Sequence, residues 1–456
     1  MTKHRSVATN RKRVCVIGAG ASGLVASKAL GDAGVAFECF EASDRVGGLW
    51  VFKNPNGKSA AYRSLHINTS RDRMQFRDYP MPRDYPDYPE HRLIARYLEA
   101  YAKHFGLMSR IRFGNSVERV EPRAGGGFRV TLGSGEASSF DAVVVANGHH
   151  WNPRWPEPRI PGTFSGLEMH SHAYVDPNEP HALAGKRVAV VGIGNSAVDI
   201  ASELARARGD GRVFLSTRRG AWVLPKYVLG RPLDEVSGAP LPLPRALRQG
   251  LAELWYRLAV GDPRRFGLPL PDHRLGNAHP TVSNDLFGLL GAGALTAKPA
   301  IVRFDGPRAH FADGSNEELD AVIYATGYKV TFPFFSAEFM AVKDNELPLY
   351  LRVFHPERAG VYFIGLAQPL GPIMPIAEAQ AKLVAAHIAG EYELPSAVEM
   401  RRSALRERAE VRTRFGESPR HTMQVDFDEY LLELAREMER GRKRPRRVRP
   451  LPALRA

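Results

Sequence analysis

Three glycines and one acidic residue near the N-terminus have the types and spacing that bind a dinucleotide. Gly18, Gly20 and Gly23 follow the apolar run 14–17 and open a helical pattern of small residues. In this arrangement the first glycine permits a sharp turn, the second admits a pyrophosphate, and the third lets helix and strand pack closely. Glu41 ends the next apolar run, where a carboxylate suits hydrogen bonds to a ribose diol. An ordinary glycine-rich turn does not explain that acid, so the sequence predicts a dinucleotide-binding β-α-β unit.

A second glycine-rich turn repeats this pattern with one difference. Gly192 and Gly194 follow a strand-like run and precede a helical pattern, and the next predicted strand is 213–216. That strand is followed by Arg218 and Arg219 instead of an acid. Because an arginine suits a 2′-phosphate that a carboxylate would repel, this turn predicts NADPH binding. The alternative is that both arginines merely end a strand at the surface.

Two dinucleotide sites in one chain, one of them for NADPH, predict electron transfer between two cofactors. NADPH delivers a hydride, and a flavin is the partner that accepts it and passes electrons to oxygen, a disulfide or a quinone. The sequence has no C-x-x-C motif, and Cys15 and Cys39 both lie in strands predicted to be buried, which disfavours the disulfide branch. His170 and His172 have no acids or cysteines at ligand spacing, so no metal site is predicted.

The elements that position these residues predict an α/β fold with two Rossmann-like dinucleotide-binding domains. After the second unit, a strand at 361–365 and a helix at 375–388 look like a return to the first unit. We therefore expect the NADPH domain to be inserted in the FAD domain. The expected boundaries are 10–163 and 329–395 for the two parts of the FAD-binding domain, 164–328 for the NADPH-binding domain with an insertion at 221–300, 396–440 for a helical C-terminal extension, and 441–456 for a disordered basic tail.

Composition and charge limit the classes of function. The 456-residue chain has a formal net charge of +14, but the excess lies in residues 1–13 and 440–456. Because charge runs at chain ends are typical of solvated tails, nucleic-acid binding is disfavoured, and a weak role of the basic tail at an anionic surface stays open. No apolar run of about 18 residues is present, so no membrane span is expected. No secretory signal is visible either, which predicts a cytoplasmic protein.

Residues 164–174, FSGLEMHSHAY, resemble the fingerprint F-x-G-x-x-x-H-x-x-x-Y/F of flavin-containing monooxygenases. The resemblance covers about 10–395 and includes the sequences GAGASG, GGLW, SLHINTSRDRMQFRDYP, GIGNSA, ATG and GLAQPLGPIMPIAEAQA. Baeyer–Villiger relatives usually end the fingerprint in tryptophan and add an earlier glycine-rich element. Tyr174 occupies that last position here, which favours heteroatom oxidation over ketone insertion.

The resemblance implies a role for each matching residue. The FAD site is implied to comprise Gly18, Gly20, Ser22, Gly23, Glu41, Gly48, Leu49, Trp50 and Gln380. The NADPH site is implied to comprise Gly192, Gly194, Asn195, Ser196, Arg218, Thr326 and Gly327. The fingerprint residues Phe164, Gly166 and His170 are implied to link domain motion to reduction and to retention of the oxidised nicotinamide. Asn68 matches the asparagine that the family places beside the flavin C4a edge. From the residues alone, two alternatives stay open: Asn68 could form a local turn, and His170 could make a structural hydrogen bond.

The activity implied by the resemblance is that of an NADPH- and O2-dependent monooxygenase that acts through a C4a-hydroperoxyflavin on a soft nucleophile, an amine nitrogen or a sulfide sulfur, of a small-molecule substrate. The enzymatic alternatives are Baeyer–Villiger oxidation of a ketone and oxidative decarboxylation of a 2-oxo acid such as indole pyruvate. The alternative outside enzymes is a flavin-based sensor or a nucleic-acid-binding flavoprotein. A homodimer is common in the family and stays open for this chain.

Overall fold

The structure, a computed structural model, describes residues 12–236, 245–415 and 422–445. Its strands are β1 (Arg13–Ile17), β2 (Ala36–Phe40), β3 (Ile111–Arg112), β4 (Val117–Pro122), β5 (Phe128–Leu132), β6 (Ala137–Phe140), β7 (Ala142–Val145), β8 (Gly162–Phe164), β9 (Leu167–His170), β10 (Val188–Val191), β11 (Val213–Ser216), β12 (Val223–Leu224), β13 (Tyr227–Val228), β14 (Arg231–Pro232), β15 (Thr281–Val282), β16 (Thr296–Lys298), β17 (Ile301–Gly306), β18 (Arg308–Phe311), β19 (Asn316–Glu318), β20 (Ala321–Tyr324), β21 (Val361–Phe363), β22 (Gln368–Leu370) and β23 (Gln424–Asp426). Its α-helices are α1 (Ala21–Asp32), α2 (Arg71–Met74), α3 (His91–His104), α4 (Asn195–Arg206), α5 (Leu233–Val236), α6 (Arg245–Ala259), α7 (Leu286–Gly291), α8 (Met374–Ala389), α9 (Ala397–Phe415) and α10 (Phe427–Lys443).

The first sheet takes its strands from both halves of the chain. Its order is β21-β7-β1-β2-β3, and every pairing is parallel. Val14, Cys15 and Val16 of the central strand β1 are completely buried, as expected where both faces of a parallel sheet are covered. One face packs against a cluster that includes α1, α3 and α8, and the other packs against β4, β5 and β6. Cys15 and Cys39 are free and buried in these clusters, which confirms that they are core residues.

The second sheet is also parallel and forms the second Rossmann-like unit. Its order is β16-β11-β10-β20-β9, with β10 at the centre. All five of these strands lie in the chain between β7 and β21, two strands of the first sheet. The fold is therefore α/β with one dinucleotide-binding unit inserted in the other, as the sequence predicts.

The insertion at 221–300 is partly helical in the described residues, with α5, α6 and α7 joined by short strands. Residues 237–244 lie outside the described part of the chain. The insertion returns to the second unit at β15, where the Thr281 hydroxyl donates to the Ile193 carbonyl over 2.5 Å. This contact places the insertion directly over the second glycine-rich turn.

The C-terminal extension differs from the prediction at two places. Between its helices α9 and α10 lies a strand, β23, which pairs in parallel with β22 of the first unit. Helix α10 continues to Lys443, and the Arg444 guanidinium lies 2.5 Å from the Glu437 carboxylate. Helix α10 therefore enters the segment 441–456 that the sequence predicts to be disordered, and Arg444 supplies the cationic partner that the buried Glu437 requires. Residues 416–421 and 446–456 lie outside the described part of the chain.

Candidate functional site

Both glycine-rich turns face one cavity of about 1630 Å³. A pocket for one drug-sized ligand has a volume of roughly 300–1,000 Å³, so this cavity exceeds the usual single site. Its walls contain Gly18 and Gly20 of the first turn and Gly192 and Gly194 of the second. Two ligands bound at the two turns would therefore share one cavity.

The first turn has the shape that a pyrophosphate requires. Gly18 has a φ of +100°, and a Cβ at this position would lie 2.7 Å from the Ala146 carbonyl oxygen. Gly20 is the N-cap of α1 and makes no side-chain cap, so the first N–H groups of the helix have no side-chain acceptor. Across the cavity wall, a Cβ on Gly48 would come within 3.1 Å of the Gly20 Cα. Free N–H groups beside glycine backbone form an anion site at this helix start.

Glu41 lies at the end of β2 and lines the same cavity. Its two carboxylate oxygens accept backbone N–H groups, from Ala19 over 2.6 Å and from Ser43 over 2.8 Å. These bonds fix the orientation of a side chain that is only 5% exposed. Because a carboxylate has about four acceptor positions, Glu41 retains capacity to accept from a ribose hydroxyl.

The second turn repeats this geometry. Gly192 has a φ of +141°, and a Cβ there would lie 2.7 Å from the Ala325 carbonyl oxygen. Gly194 is the N-cap of α4 and again provides no side-chain cap. The Asn195 side-chain oxygen accepts the Val282 N–H over 2.8 Å, so that oxygen holds the insertion in place. Ser196 lines the cavity at the first turn of the helix.

Arg218 lies exposed on the cavity wall beyond β11. It forms no ion pair with any residue that the structure describes, whereas Arg219 lies 3.7 Å from the Asp272 carboxylate. Thr326 and Gly327 follow β20 and line the cavity as well. Because Arg218 has no ion-pair partner among the described residues, its guanidinium remains available to an anionic ligand.

The remaining predicted residues on the cavity belong to the first unit. Gly48, Leu49 and Trp50 form a single 3-10 turn along the wall. Asn68 is half-buried on the same wall, and its side chain makes no hydrogen bond with the described part of the chain. Its loop is fixed on both sides, because the Ile67 N–H donates to Pro89 and the Ser70 N–H donates to Asp234 over 2.7 Å. The Asn68 amide thus lies at the cavity without a hydrogen-bond partner among the described residues.

Five predicted residues do not line the cavity: Gly23, Phe164, Gly166, His170 and Gln380. A Cβ on Gly23 would lie 1.8 Å from the Gly18 carbonyl oxygen, so this glycine permits helix–strand contact. The Phe164 ring packs 4.9 Å from the ring of Phe304, between centroids. Gly166 allows a close approach to the Asp320 carbonyl.

His170 is buried beneath the cavity wall and accepts the His172 N–H at Nδ1 over 3.1 Å. Burial, with His172 nearby, lowers the pKa of His170 to about 4. The ring is therefore neutral near pH 7, and its Nδ1 accepts a hydrogen bond within the fold.

Comparison with known proteins gives a consistent result. A family model described as flavin-binding monooxygenase-like matches residues 11–444. The chain is 39% identical to flavin-containing monooxygenase 5 of Cavia porcellus over 445 residues, which span 93% of this chain and 82% of that relative. It is 35% identical to dimethylaniline monooxygenase (N-oxide-forming) 2 of Macaca mulatta over 94% of this chain and 82% of that relative. The chain belongs to the flavin-binding monooxygenase-like family.

A solved structure agrees with this assignment. The S-allyl-L-cysteine S-oxygenase from Allium sativum matches with a TM-score of 0.70 and 26% identity, over 94% of this chain and 89% of that one. This flavin-binding monooxygenase is accordingly an FAD-dependent enzyme that uses NADPH. The observed cradles fit both dinucleotides, because each uncapped helix start lies beside glycines whose Cβ atoms would collide with backbone.

Within the described ranges, no cluster of three or more His, Cys, Asp or Glu side chains has an arrangement that could hold a metal ion. None of the described helices combines the length and the apolar character needed to cross a membrane.

Part of the cavity wall of this monooxygenase was missed by sequence reasoning. The missed residues that bear on the site are Trp155, Asp234, Trp255, Gly365, Gly371 and Met423. The glycine that ends the predicted strand 361–365 was an available signal, since Gly365 has a φ of +77°. Met423 gave no local signal, because the β22–β23 pairing alone brings it to the wall.

Proposed function

We propose that this monooxygenase transfers one oxygen atom from O2 to the nitrogen of an amine or the sulfur of a sulfide, with NADPH as the electron donor. The observation that supports the proposal is the shared cavity, which is lined both by the Asn68 amide and by the two glycine-rich turns. Two relatives carry names for these reaction types, an N-oxide-forming enzyme and an S-oxygenase.

In this proposal the first turn holds FAD. Gly18, Gly20 and Ser22 receive the pyrophosphate at the start of α1, where N–H groups lack side-chain acceptors. Glu41 accepts from the ribose, and the turn at 48–50 borders the flavin half. The bound flavin supplies the chemistry that joins hydride from NADPH to the reduction of O2.

The second turn holds NADPH in the same proposal. Gly192, Gly194 and Ser196 receive its pyrophosphate at the start of α4. The exposed Arg218 guanidinium binds the 2′-phosphate, a bidentate pairing for which arginine is suited. Thr326 and Gly327 border the bound nucleotide from the end of β20.

Asn68 and the apolar part of the wall protect the oxygenation step. An amide has both a donor and an acceptor, so Asn68 can hold a nicotinamide ribose or an oxygen atom in place. Trp151, Trp155 and Ile160 supply apolar surface to the cavity. Because water at the oxygenation site diverts the reduction of O2 to hydrogen peroxide, a dry wall favours product over peroxide.

The test is a coupled measurement of NADPH consumption, product and hydrogen peroxide with amines, sulfides, ketones and 2-oxo acids. We expect amines or sulfides to be oxygenated with little peroxide. Ester formation from ketones that exceeds heteroatom oxidation would instead support Baeyer–Villiger chemistry. Carbon dioxide release from a 2-oxo acid would support decarboxylation, and either result overturns the proposed substrate class.

A further inference from the structure

We propose that Tyr430, in the C-terminal extension, is a positioning residue of the FAD site and acts through Gln380 on the backbone of Gly365. The inference rests on the FAD site proposed above and adds a residue far from both glycine-rich turns. Tyr430 lies on α10, Gln380 on α8, and Gly365 on the cavity wall after β21.

Three buried hydrogen bonds form a chain from the Gly365 N–H through Gln380 and Tyr430 to the Leu351 carbonyl, and each donor points along that chain towards Leu351. The Tyr430 hydroxyl donates to the Leu351 carbonyl over 2.5 Å. Its oxygen accepts from the Gln380 amide nitrogen over 2.7 Å. The Gln380 amide oxygen accepts the Gly365 N–H over 2.8 Å. Gln380 is 0% exposed and Tyr430 is 4% exposed, so water does not replace these partners.

The donor and acceptor roles leave one arrangement for the Gln380 amide. Because the single Tyr430 proton goes to Leu351, the phenol oxygen can only accept from Gln380. A reversed amide would place its oxygen against the phenol oxygen and its NH2 against the Gly365 N–H, leaving buried groups unpaired. Burial raises the pKa of Tyr430, which keeps the hydroxyl in its protonated, donating form. Tyr430 therefore holds the amide in the orientation that presents its oxygen to Gly365.

Gly365 transmits this orientation to the proposed FAD cradle. It has a φ of +77°, and a Cβ at this position would lie 2.1 Å from the Ser22 hydroxyl oxygen. Ser22 belongs to the first turn of α1 and lines the cavity. A displacement of the Gly365 backbone would thus alter the space between the cavity wall and the helix start.

The same extension fastens the wall at two further points. The Gln368 N–H donates to the Met423 carbonyl over 2.8 Å, where β22 meets β23. A Cβ on Gly371 would lie 3.0 Å from the Phe427 Cβ. The wall at 365–371 is therefore held from behind by residues 423–430. Of the three links named here, the one from Tyr430 through Gln380 runs through side-chain hydrogen bonds.

The test compares Tyr430→Phe with Tyr392→Phe as a matched control. The Tyr392 hydroxyl also makes a buried hydrogen bond to α10, over 2.9 Å to Glu437, but Glu437 pairs with Arg444 instead of contacting the Gln380 amide. Dilution of each holoenzyme, followed by the fluorescence of released FAD, gives the dissociation constant for FAD. We expect Tyr430→Phe to weaken FAD binding roughly 5- to 30-fold and to shift the visible absorption band of bound FAD, while Tyr392→Phe changes neither.

Gln380→Met and the double variant with Tyr430→Phe complete the test. If the two residues act through one path, the double variant binds FAD no more weakly than Gln380→Met alone. Effects that multiply, or a Tyr430→Phe variant with unchanged FAD affinity and spectrum, would overturn the positioning role. Wild-type protein that retains no FAD would overturn the FAD site itself, a result distinguishable from loss in the variant alone.

Discussion

Arg218 is the side chain on which cofactor choice depends in the proposed site. Arg218→Ala should raise the Michaelis constant for NADPH about 10–100-fold, with a much smaller change for NADH, because one charged contact to the 2′-phosphate is lost. Steady-state kinetics with both nucleotides measures the ratio. Arg219→Ala is the matched control, since the Arg219 guanidinium already faces Asp272. Equal effects of Arg218→Ala on NADPH and NADH would remove the 2′-phosphate assignment.

Asn68 carries the second prediction at the residue scale. Asn68→Asp and Asn68→Leu should retain FAD but divert NADPH oxidation into hydrogen peroxide, because the wall loses its neutral amide at the oxygenation site. Peroxide and product are counted per NADPH consumed. Asn178→Asp, at an exposed position away from the cavity, should keep the wild-type ratio. Coupling that is unchanged in both Asn68 variants would exclude the residue from the site.

Single residues also show where sequence reasoning stops. The placement of Gly18, Gly20 and Glu41 on the cavity could be predicted because the pattern that identifies them depends on local spacing. The hydrogen bond of the Asn195 side chain could not be predicted, since its oxygen accepts from the Val282 N–H, 87 positions further along the chain. Local patterns identify the type of site, whereas the partners of each side chain come from tertiary contacts.

At the scale of elements, α1 depends on the absence of a side chain at Gly23. Gly23→Ala should destabilise the protein by about 3 kcal/mol or more and release FAD, because its Cβ would overlap the Gly18 carbonyl. Gly31→Ala, on the same helix, is the control. Its Cβ would lie at an ordinary 3.7 Å from the Phe37 ring, and alanine favours helix by roughly 0.5–1 kcal/mol. Denaturant unfolding checks both; a stable, yellow Gly23→Ala protein would contradict the packing argument.

The elements themselves were largely predictable from apolar runs and helical spacing. The strands β1 and β10, with the helices that follow them, lie where their buried sequences indicate. Strand β23 was not predicted, because its three residues form a strand only by pairing with β22, whose Gln368 lies 56 positions before its partner Gln424. The end of α10 was misplaced for a similar reason, since Glu437 stabilises Arg444 beyond the predicted boundary.

At the scale of the whole molecule, the buried His170 makes stability depend on pH. Its pKa is about 4 in the fold and 6.5 ordinarily. Between these values the unfolded chain binds a proton that the folded chain does not, so the stabilisation is complete above pH 6.5 and is lost as the pH falls towards 4. We expect this residue to contribute a slope of at most about 1.4 kcal/mol per pH unit in the free energy of unfolding.

Urea unfolding between pH 7.5 and 4.5 measures that slope. His170→Gln should reduce it, whatever the variant's absolute stability, and His104→Gln, at an exposed position, should leave it as in the wild type. An unreduced slope in His170→Gln would show that the buried ring is not a source of acid sensitivity.

The discontinuous first sheet has a consequence for biosynthesis. Strand β7 acquires its outer neighbour β21 only after roughly 200 further residues have left the ribosome, which takes about 10–40 s at ordinary rates of translation. During that interval β7 presents an unpaired edge, while the inserted unit is already complete and free to fold. Nascent chains arrested before β21 emerges should therefore contain a protease-resistant middle segment and a protease-sensitive beginning.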